Sequence, residues 1–496
     1  MSGIAYCLLS SNRCASSSRS WLQLHNSIGL RYCKKKVQKS RKKCLFNLFE
    51  RYGIIVNLIL ETLKLVQSDD EYQEILMAQR RVVVTGLGCV SSVGNDVNTA
   101  WENVKNGKSG ITKITLFDAS AHQVQIAGEV KDFDINNYGV DRKLARKMSR
   151  MSKFLLGASI EAANDAGLSA ENLKDEKAGI VTGVGIGLSD DLETAYKKYL
   201  DPASGVNRIP PLTAPFVLNN EASAGVAMHF QIYGPSWTLS TACASGTDAL
   251  GLSMDMIRSG RLDVCFAGGV DANITGFNIG CYQALSALTN KFNDTPEKAS
   301  RPFDKNRSGF VMAEGSAVLI LEEYEHAKAR GAKIYAEVAG YGASSDAYHI
   351  TAPREDGSGG ALAMKRAFED AGMKPSDIQY YNAHGTSTSA NDSAETAMIK
   401  SVFGEDAKKL HISSTKSEIG HMVGAAGAIE AIMCIKAMQD SFVPPTINLE
   451  EADLEHGCDL DYTPNKGVPC EISASASCSL GFGGHNGCII FKNIKK

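Results

Sequence analysis

The sequence predicts an α/β fold in which parallel sheets are covered by helices. Three observations lead there. Apolar, β-branched runs end in glycine at residues 82–88 and again about a hundred residues later at 179–185. Helical patterns of 3.6-residue period separate such runs. The connections between them are short, as in strand–helix–strand units. With 496 residues, 44% of them hydrophobic and 22% charged, the chain is long enough for two similar halves, each with its own sheet.

The elements follow in order. Residues 82–88 (Val82, Val83, Val84, then Gly86 and Gly88) form a buried strand running into glycine. Residues 154–166 are a helix rich in small residues, suited to close packing, and 179–185 repeat the strand–glycine pattern. Neither glycine loop is a dinucleotide site. Ser91 and Leu188 occupy the third glycine position of the fingerprint, and no acidic residue follows on a second strand. An extended run at 235–239 stops at Leu239. An amphipathic helix follows, with Ala249, Leu250, Leu252, Met256 and Ile257 at i, i+3 and i+4 spacing. Further strands are expected at 264–269, 317–321 and 335–338, the last followed by Gly340-Tyr341-Gly342, and a helix at 360–371. The second half adds a strand end at 380–383, a helix start at Asp392 and Glu395, a strand at 410–412, a small-residue helix from 424 and a strand at 488–491.

Charge and cysteine content narrow the function classes. Residues 1–76 hold 12 Lys/Arg against 6 Asp/Glu, which leaves −9 on the rest of a chain whose formal total is −3. An acidic body of this kind excludes a general nucleic-acid binder. The 13 cysteines show no CxxC pair and read as reduced thiols in a reducing compartment, neither a disulfide framework nor a zinc site. Residues 1–76 are basic and serine-rich, with no acid before Glu50, which fits an organelle transit peptide. They fit equally an over-extended start, since Met77 stands directly before the first strand. The apolar run at 54–60 is too short to span a bilayer, so no membrane span is expected.

Three strand-end loops carry chemistry, and in open α/β sheets that edge is where ligands bind. Cys243 lies in Thr241-Ala242-Cys243-Ala244-Ser245-Gly246, at a strand-to-helix turn where the helix N-terminus favours a thiolate. Small neighbours leave the sulfur open to a bulky substrate. His384 opens His384-Gly385-Thr386-Ser387-Thr388, and His421 closes Lys416-Ser417-Glu418-Ile419-Gly420-His421. A cysteine alone reads as a buried structural thiol, and a histidine alone as a satisfied structural residue. Three such loops together read as a site.

Those motifs, with Arg301-Pro302-Phe303-Asp304, Gly309-Phe310-Val311 and Gly481-Phe482-Gly483-Gly484, resemble the β-ketoacyl-[acyl-carrier-protein] synthases of the thiolase fold. The resemblance covers residues 81–492. It implies two related α/β halves, residues 77–331 with the cysteine and 332–496 with both histidines, stacked in a five-layer α-β-α-β-α body. The interval of 37 residues from His384 to His421, and the stretch from Gly340 to His349, are more similar to synthase II than to synthase I.

The resemblance also implies roles. Cys243 is the acyl-accepting nucleophile, and the N–H groups of Cys243 and Phe482 hold the oxyanion. His384 and His421 stabilise the enolate formed when malonyl carrier loses CO2, with His384 the candidate for acid–base help. Lys416 and Glu430 organise the histidines. Thr386 and Thr388 hold the phosphopantetheine arm that the substrate itself brings, and local helix capping is their structural alternative. Phe482 is a gating aromatic. No redox cofactor or nucleotide is needed. Some members hold a monovalent cation near positions matching Asn382, Glu430, Ser477 and the next residue. Cys478 stands there in place of the usual asparagine, and Leu480 in place of a phenylalanine, so no metal is expected.

Arg142, Lys143, Arg146 and Lys147 match a carrier-binding helix, with like charges at i, i+4 that repel unless an acidic partner docks. The expected partners are an acyl carrier protein and a second copy of the chain. A soluble enzyme is expected, in a bacterial-type cytosol, or in a mitochondrion or plastid if residues 1–76 are a transit peptide. The leading expectation is a condensing enzyme of fatty acid elongation. A freestanding polyketide ketosynthase is the enzymatic alternative, disfavoured because the 496 residues show no acyltransferase or carrier module. A non-catalytic chain-length partner is the alternative of another class, disfavoured by Cys243 and both histidines.

Overall fold

The computed structural model describes residues 80–494, apart from 175–176, 188–189 and 203–207. The expectations for residues 1–76 fall outside the described residues.

Ten strands form the main sheet: β1 Val82–Val90, β2 Ala178–Gly183, β3 Ser236–Leu239, β4 Val264–Asp271, β5 Gly315–Glu323, β6 Ala336–Ser345, β7 Tyr380–Asn382, β8 His411–Ser413, β9 Ala474–Gly481 and β10 His485–Lys492. Their spatial order is β8-β7-β9-β10-β6-β1-β5-β4-β2-β3. Cut between β6 and β1, this is one pattern used twice. In each set of five, the first strand neighbours the fifth, then come the fourth, second and third. The fifth strand is antiparallel to both neighbours, and the last three are parallel. The two sheets are not separate. An antiparallel pairing of Val83 with Glu337 and Val84 with Ala336 joins them at one edge.

The helices make the other layers. α1 (Arg150–Ala166) and α2 (Glu221–Phe230) cover the outer face of the first sheet. α3 (Ser245–Arg258) and α4 (Ala426–Asp440) lie together between the sheets and touch both. α4 is apolar nearly all round, as a helix between two sheets must be, with Ile429, Ile432, Met433 and Ile435 all buried. α5 (Ser358–Ala371) and α6 (Ser389–Phe403) cover the far side. This is the five-layer α-β-α-β-α arrangement of the thiolase type.

The glycines expected to end strands sit inside them. β1 runs on through Gly86 and Gly88, and β6 through Gly340 and Gly342. The cause is close helix approach. A Cβ on Gly86 or Gly88 would lie 2.1 or 2.0 Å from backbone oxygens of α1, and one on Gly340 or Gly342 2.5 or 2.2 Å from those of α5. The two halves thus share a packing device as well as a strand order.

Candidate active site

Each reactive side chain is delivered by a strand end. β3 stops at Leu239, and Ala242 adopts φ +51°, a left-handed conformation that turns the chain sharply before α3. Ser245 Oγ donates to Ala242 O (2.7 Å) and accepts from Thr241 N (2.8 Å), which fixes the turn. Cys243 is therefore presented at the start of α3, partly exposed at the floor of a largely apolar cavity of about 440 Å³. β7 ends at Asn382 and delivers His384, whose N–H donates to Glu395 Oε1 (2.8 Å). Gly385 N–H donates to the other oxygen of the same carboxylate (2.7 Å). His421 follows the short helix Lys416–Ile419, with its N–H donated to Val311 O (2.8 Å).

The three loops converge. One donor atom from each of Cys243, His384 and His421 lies within 4.8 Å of the others. His421 Nε2 is 3.1 Å from Cys243 Sγ, and the imidazole centroids are 5.2 Å apart, edge to face. The tautomers follow from the partners. Lys416 Nζ can only donate, and it meets His384 Nδ1 at 3.3 Å. Val423 N–H donates to His421 Nδ1 at 3.2 Å. Both Nδ1 atoms are acceptors, so both rings carry the proton on Nε2 and turn a donor toward the cavity. Burial, reinforced by the Lys416 charge, holds both histidines well below the ordinary imidazole range, so they are neutral.

The Cys243 thiol is pushed up to about 12 by burial. The charge of Lys416 and the N–H of Phe482, directed at the sulfur, oppose that shift without overcoming it. The expected resting thiolate is thus corrected to a protonated thiol. Burial outweighs the helix terminus, because α3 begins only after a short 3-10 turn at Ala242–Ala244.

Lys416 is not a surface lysine. It is buried, ion-paired with Glu430, and bonded to His384. Burial raises Glu430 to about 7 against the opposing Lys416 charge. Thr386 and Thr388 line the cavity, their hydroxyls 2.9 Å apart. Thr388 occupies the N-cap of α6 but makes no side-chain capping bond, so local capping does not account for its hydroxyl. Phe482 sits at the tip of the β9–β10 hairpin, stacked on Tyr282 (centroids 6.3 Å apart, 19° between planes).

The family profile for the beta-ketoacyl synthase N-terminal domain matches residues 79–327, and that for the C-terminal domain matches 335–450. A 3-oxoacyl-[acyl-carrier-protein] synthase 2 of Staphylococcus aureus (strain N315) is 44% identical over 416 residues, covering 84% of this chain and 99% of the relative. The chain belongs to the β-ketoacyl synthase family. Two solved structures are also similar to this β-ketoacyl synthase, each covering 84% of it and all of the other chain at 35% identity. One is the ishigamide ketosynthase/chain length factor (TM-score 0.78). The other is a type II polyketide acyl-carrier protein in complex with its ketosynthase bound to the hexaketide (TM-score 0.76).

Elsewhere in this β-ketoacyl synthase, the basic segment departs from expectation. Arg142, Lys143, Arg146 and Lys147 are all exposed, but the helix is one turn, Arg142–Ala145, not a two-turn face. Asp141 caps that turn, and Ser149 caps the next helix, with its side chain accepting from Ser152 N. Only seven residues, 142–148, separate the two caps.

Oxygen ligands for a cation are present. Asn382 Oδ1, Glu430 Oε2 and Ser477 Oγ are buried with no hydrogen-bond partner among the described residues. Asn382 and Ser477 are register partners on neighbouring strands. Three hard oxygens fit a monovalent cation. Cys478, the reason for expecting none, points to the opposite face of β9, against Cys488 and Tyr381.

Two groups near the site went unread in the sequence. Asp271, at the end of β4, accepts N–H bonds from Gly185, Ile186, Gly187 and Gly424, and so fixes the loops on either side of Cys243. Buried Arg307 donates to Thr388 O and Ser389 O (both 3.2 Å) and pairs with Asp453 (2.6 Å). Only the acid at a strand end facing glycines, and an arginine just after the Arg301–Asp304 motif, pointed toward them.

Proposed function

We propose that this β-ketoacyl synthase is a 3-oxoacyl-[acyl-carrier-protein] synthase of the type II elongation class. It condenses malonyl carrier with a cysteine-bound acyl chain. The observation that carries the reading is the juxtaposition of one partly exposed thiol with two buried, neutral histidines, both offering Nε2–H donors to the same cavity.

The chemistry divides accordingly. Cys243 Sγ attacks the acyl thioester, its oxyanion held by the Cys243 and Phe482 N–H groups. The carrier C–S bond breaks and the thiol proton ends on the departing carrier sulfur. Malonyl carrier then enters, and its thioester oxygen accepts from His384 and His421. Loss of CO2 leaves the electron pair of the broken C–C bond as an enolate. Two neutral donors stabilise that oxyanion. The enolate carbon attacks the acyl-Cys243 carbonyl, the C–S bond breaks, and the cysteine sulfur takes a proton from solvent.

Supporting roles follow from position. Lys416, held by Glu430, keeps His384 Nδ1 an acceptor. Thr386 and Thr388 hold the phosphopantetheine arm, Phe482 gates the cavity, and Arg142, Lys143, Arg146 and Lys147 dock the acidic carrier. Asn382, Glu430 and Ser477 would hold a monovalent cation, which would supply a fixed positive charge to those buried oxygens. The repeated strand order supports division into halves at residues 77–331 and 332–496. A homodimer is supported by β3, an edge strand among the described residues that carries exposed Trp237. No described helix is long and apolar enough to cross a membrane, and the described cysteines are all free thiols, which supports a reducing compartment. The likeness to a type II polyketide ketosynthase keeps a polyketide role as the second reading. Products longer than one condensation from purified carriers would favour it.

The test separates the half-reactions. Cys243→Gln is expected to abolish acyl transfer while malonyl carrier is still decarboxylated. His384→Ala and His421→Ala are expected to retain acylation at Cys243 and to lose decarboxylation by about a hundredfold to a thousandfold. An acyl adduct mapped to Cys265 or Cys281 removes the central assignment. So does a Cys243→Gln protein, still folded, that decarboxylates as poorly as the histidine variants.

A further inference from the structure

A polar cluster behind the reactive cysteine is used by none of these steps. Thr241, two residues before Cys243, donates its hydroxyl to Asp248 Oδ2 at 2.6 Å. The other oxygen, Oδ1, accepts from the hydroxyl of Tyr341 on β6, at 2.8 Å. Asp248 belongs to α3 in the first half, and β6 opens the second sheet. One carboxylate thus ties the turn that carries the nucleophile to the opposite half of the molecule.

The surroundings are shaped for this contact. Three residues further along α3, Gly251 leaves room for the Tyr341 ring, since a Cβ there would lie 2.4–2.5 Å from three ring carbons. On β10, Gly487 abuts the same carboxylate, and a Cβ added there would lie 2.8 Å from Oδ1. His485, the first residue of β10, lies within Coulombic reach of Asp248. The turn itself needs holding, because Ala242 is left-handed and carries a side chain, a conformation that persists only when its neighbours enforce it. Ser245 fixes it from inside α3. Thr241 and Asp248 add a second tie, anchored from outside α3 by Tyr341.

We propose that Asp248 is a positioning residue for acyl transfer, holding the Thr241–Cys243 turn so that the thiol and the Cys243 N–H face the acyl carbonyl. The proposal rests on the assignment of Cys243 as nucleophile. A carboxylate suits the task because it only accepts, and both hydroxyls donate to it. His384 and His421 hang on other loops, so decarboxylation does not depend on this cluster.

Single-turnover acyl-enzyme formation, with malonyl-carrier decarboxylation as an internal control, tests it. Asp248→Ala is expected to slow acylation about a hundredfold, the order expected when a reacting group is misplaced by an ångström, with KM for the acyl carrier unchanged. Asp248→Asn, which keeps the shape and one acceptor, is expected to recover most of that rate. Tyr341→Phe, which removes one bond, is expected to fall between. Decarboxylation is expected at the wild-type rate in all three. Wild-type acylation in Asp248→Ala, or parallel loss of both half-reactions in folded Asp248→Ala or Tyr341→Phe, overturns the proposal. Should Asp248→Ala not fold, Thr241→Val and Tyr341→Phe decide it by the same ratio. Failure of the underlying assignment looks different, because wild-type enzyme would then carry its acyl group elsewhere than on Cys243.

Discussion

The nucleophile and the histidines are held by opposite means. Cys243 is partly exposed, on a turn with one left-handed residue, fixed by hydroxyls and one carboxylate. His384 and His421 are buried, and behind them stands a fully buried lysine–glutamate pair. The difference matches the two tasks. A thiol that must meet acyl chains of varied shape needs an open approach. An enolate needs donors that do not reorient while charge develops, and buried groups with satisfied far sides provide that.

The comparison breaks first, if it breaks, at the buried pair. Lys416→Met or Glu430→Gln is expected to lower unfolding free energy by about 3–5 kcal/mol, the cost of stranding one partner of a buried ion pair. Thr241→Val at the turn is expected to cost only about 1 kcal/mol. Urea titrations of the three variants measure both, and equal losses would erase the contrast.

The pH profiles should also diverge. Burial raises the Cys243 thiol to about 12, so its thiolate fraction grows about tenfold per pH unit across neutrality. Acylation rates are expected to climb toward alkaline pH. Both histidine values are lowered, so the rings stay neutral through neutrality, and only well below the ordinary imidazole value near 6.5 does each take a second proton, on the Nδ1 that accepts from Lys416 or Val423. Decarboxylation is therefore expected to be flat from about pH 7 to 8 and to fall in acid. Stopped assays of each half-reaction across pH read the two slopes.

The fold was legible where the signal was local. Runs such as Val82-Val83-Val84 gave strands, and a cysteine and two histidines at strand ends gave the site. What was not legible depended on distant partners. Gly340 and Gly342 look like a loop until α5 is laid across them. The charge state of Cys243 is set by burial that no neighbour in sequence reveals. Asp271, Arg307 and Asp248 act through groups 84 to 153, 81 to 146 and 93 residues away respectively, and only the folded chain brings those together. In the basic segment only the helix length departs from expectation, with a new helix capped at Ser149.

Smaller effects sharpen the surface and the cation site. Lys143→Glu with Lys147→Glu is expected to raise KM for carrier-borne substrates roughly tenfold, and far less for acyl-coenzyme A surrogates. The gap should narrow with salt, since the Debye length is only ~8 Å at physiological ionic strength. Smallest is the ion. Wild-type protein is expected to melt about 2–4 °C higher in potassium or sodium than in choline, and Ser477→Ala is expected to lose that increment. Equal melting of wild-type protein in all three salts would leave the three orphan oxygens to water.

The position of β1 has a consequence for how the protein is made. Val82 pairs with Glu323, and Val83 with Glu337, across about 240 to 255 residues of chain. At roughly 5–20 residues per second, a ribosome needs about 12–50 s to supply those partners after β1 emerges. For that interval a valine-rich segment, flat enough for a helix to lie on at Gly86 and Gly88, has no strand to pair with. Parallel pairing of β2 with β3 closes earlier, across about 56 residues, so the nascent first half gathers around β2 and β3 while its central strand waits. The yield of folded enzyme is therefore expected to respond to synthesis rate as well as to final stability.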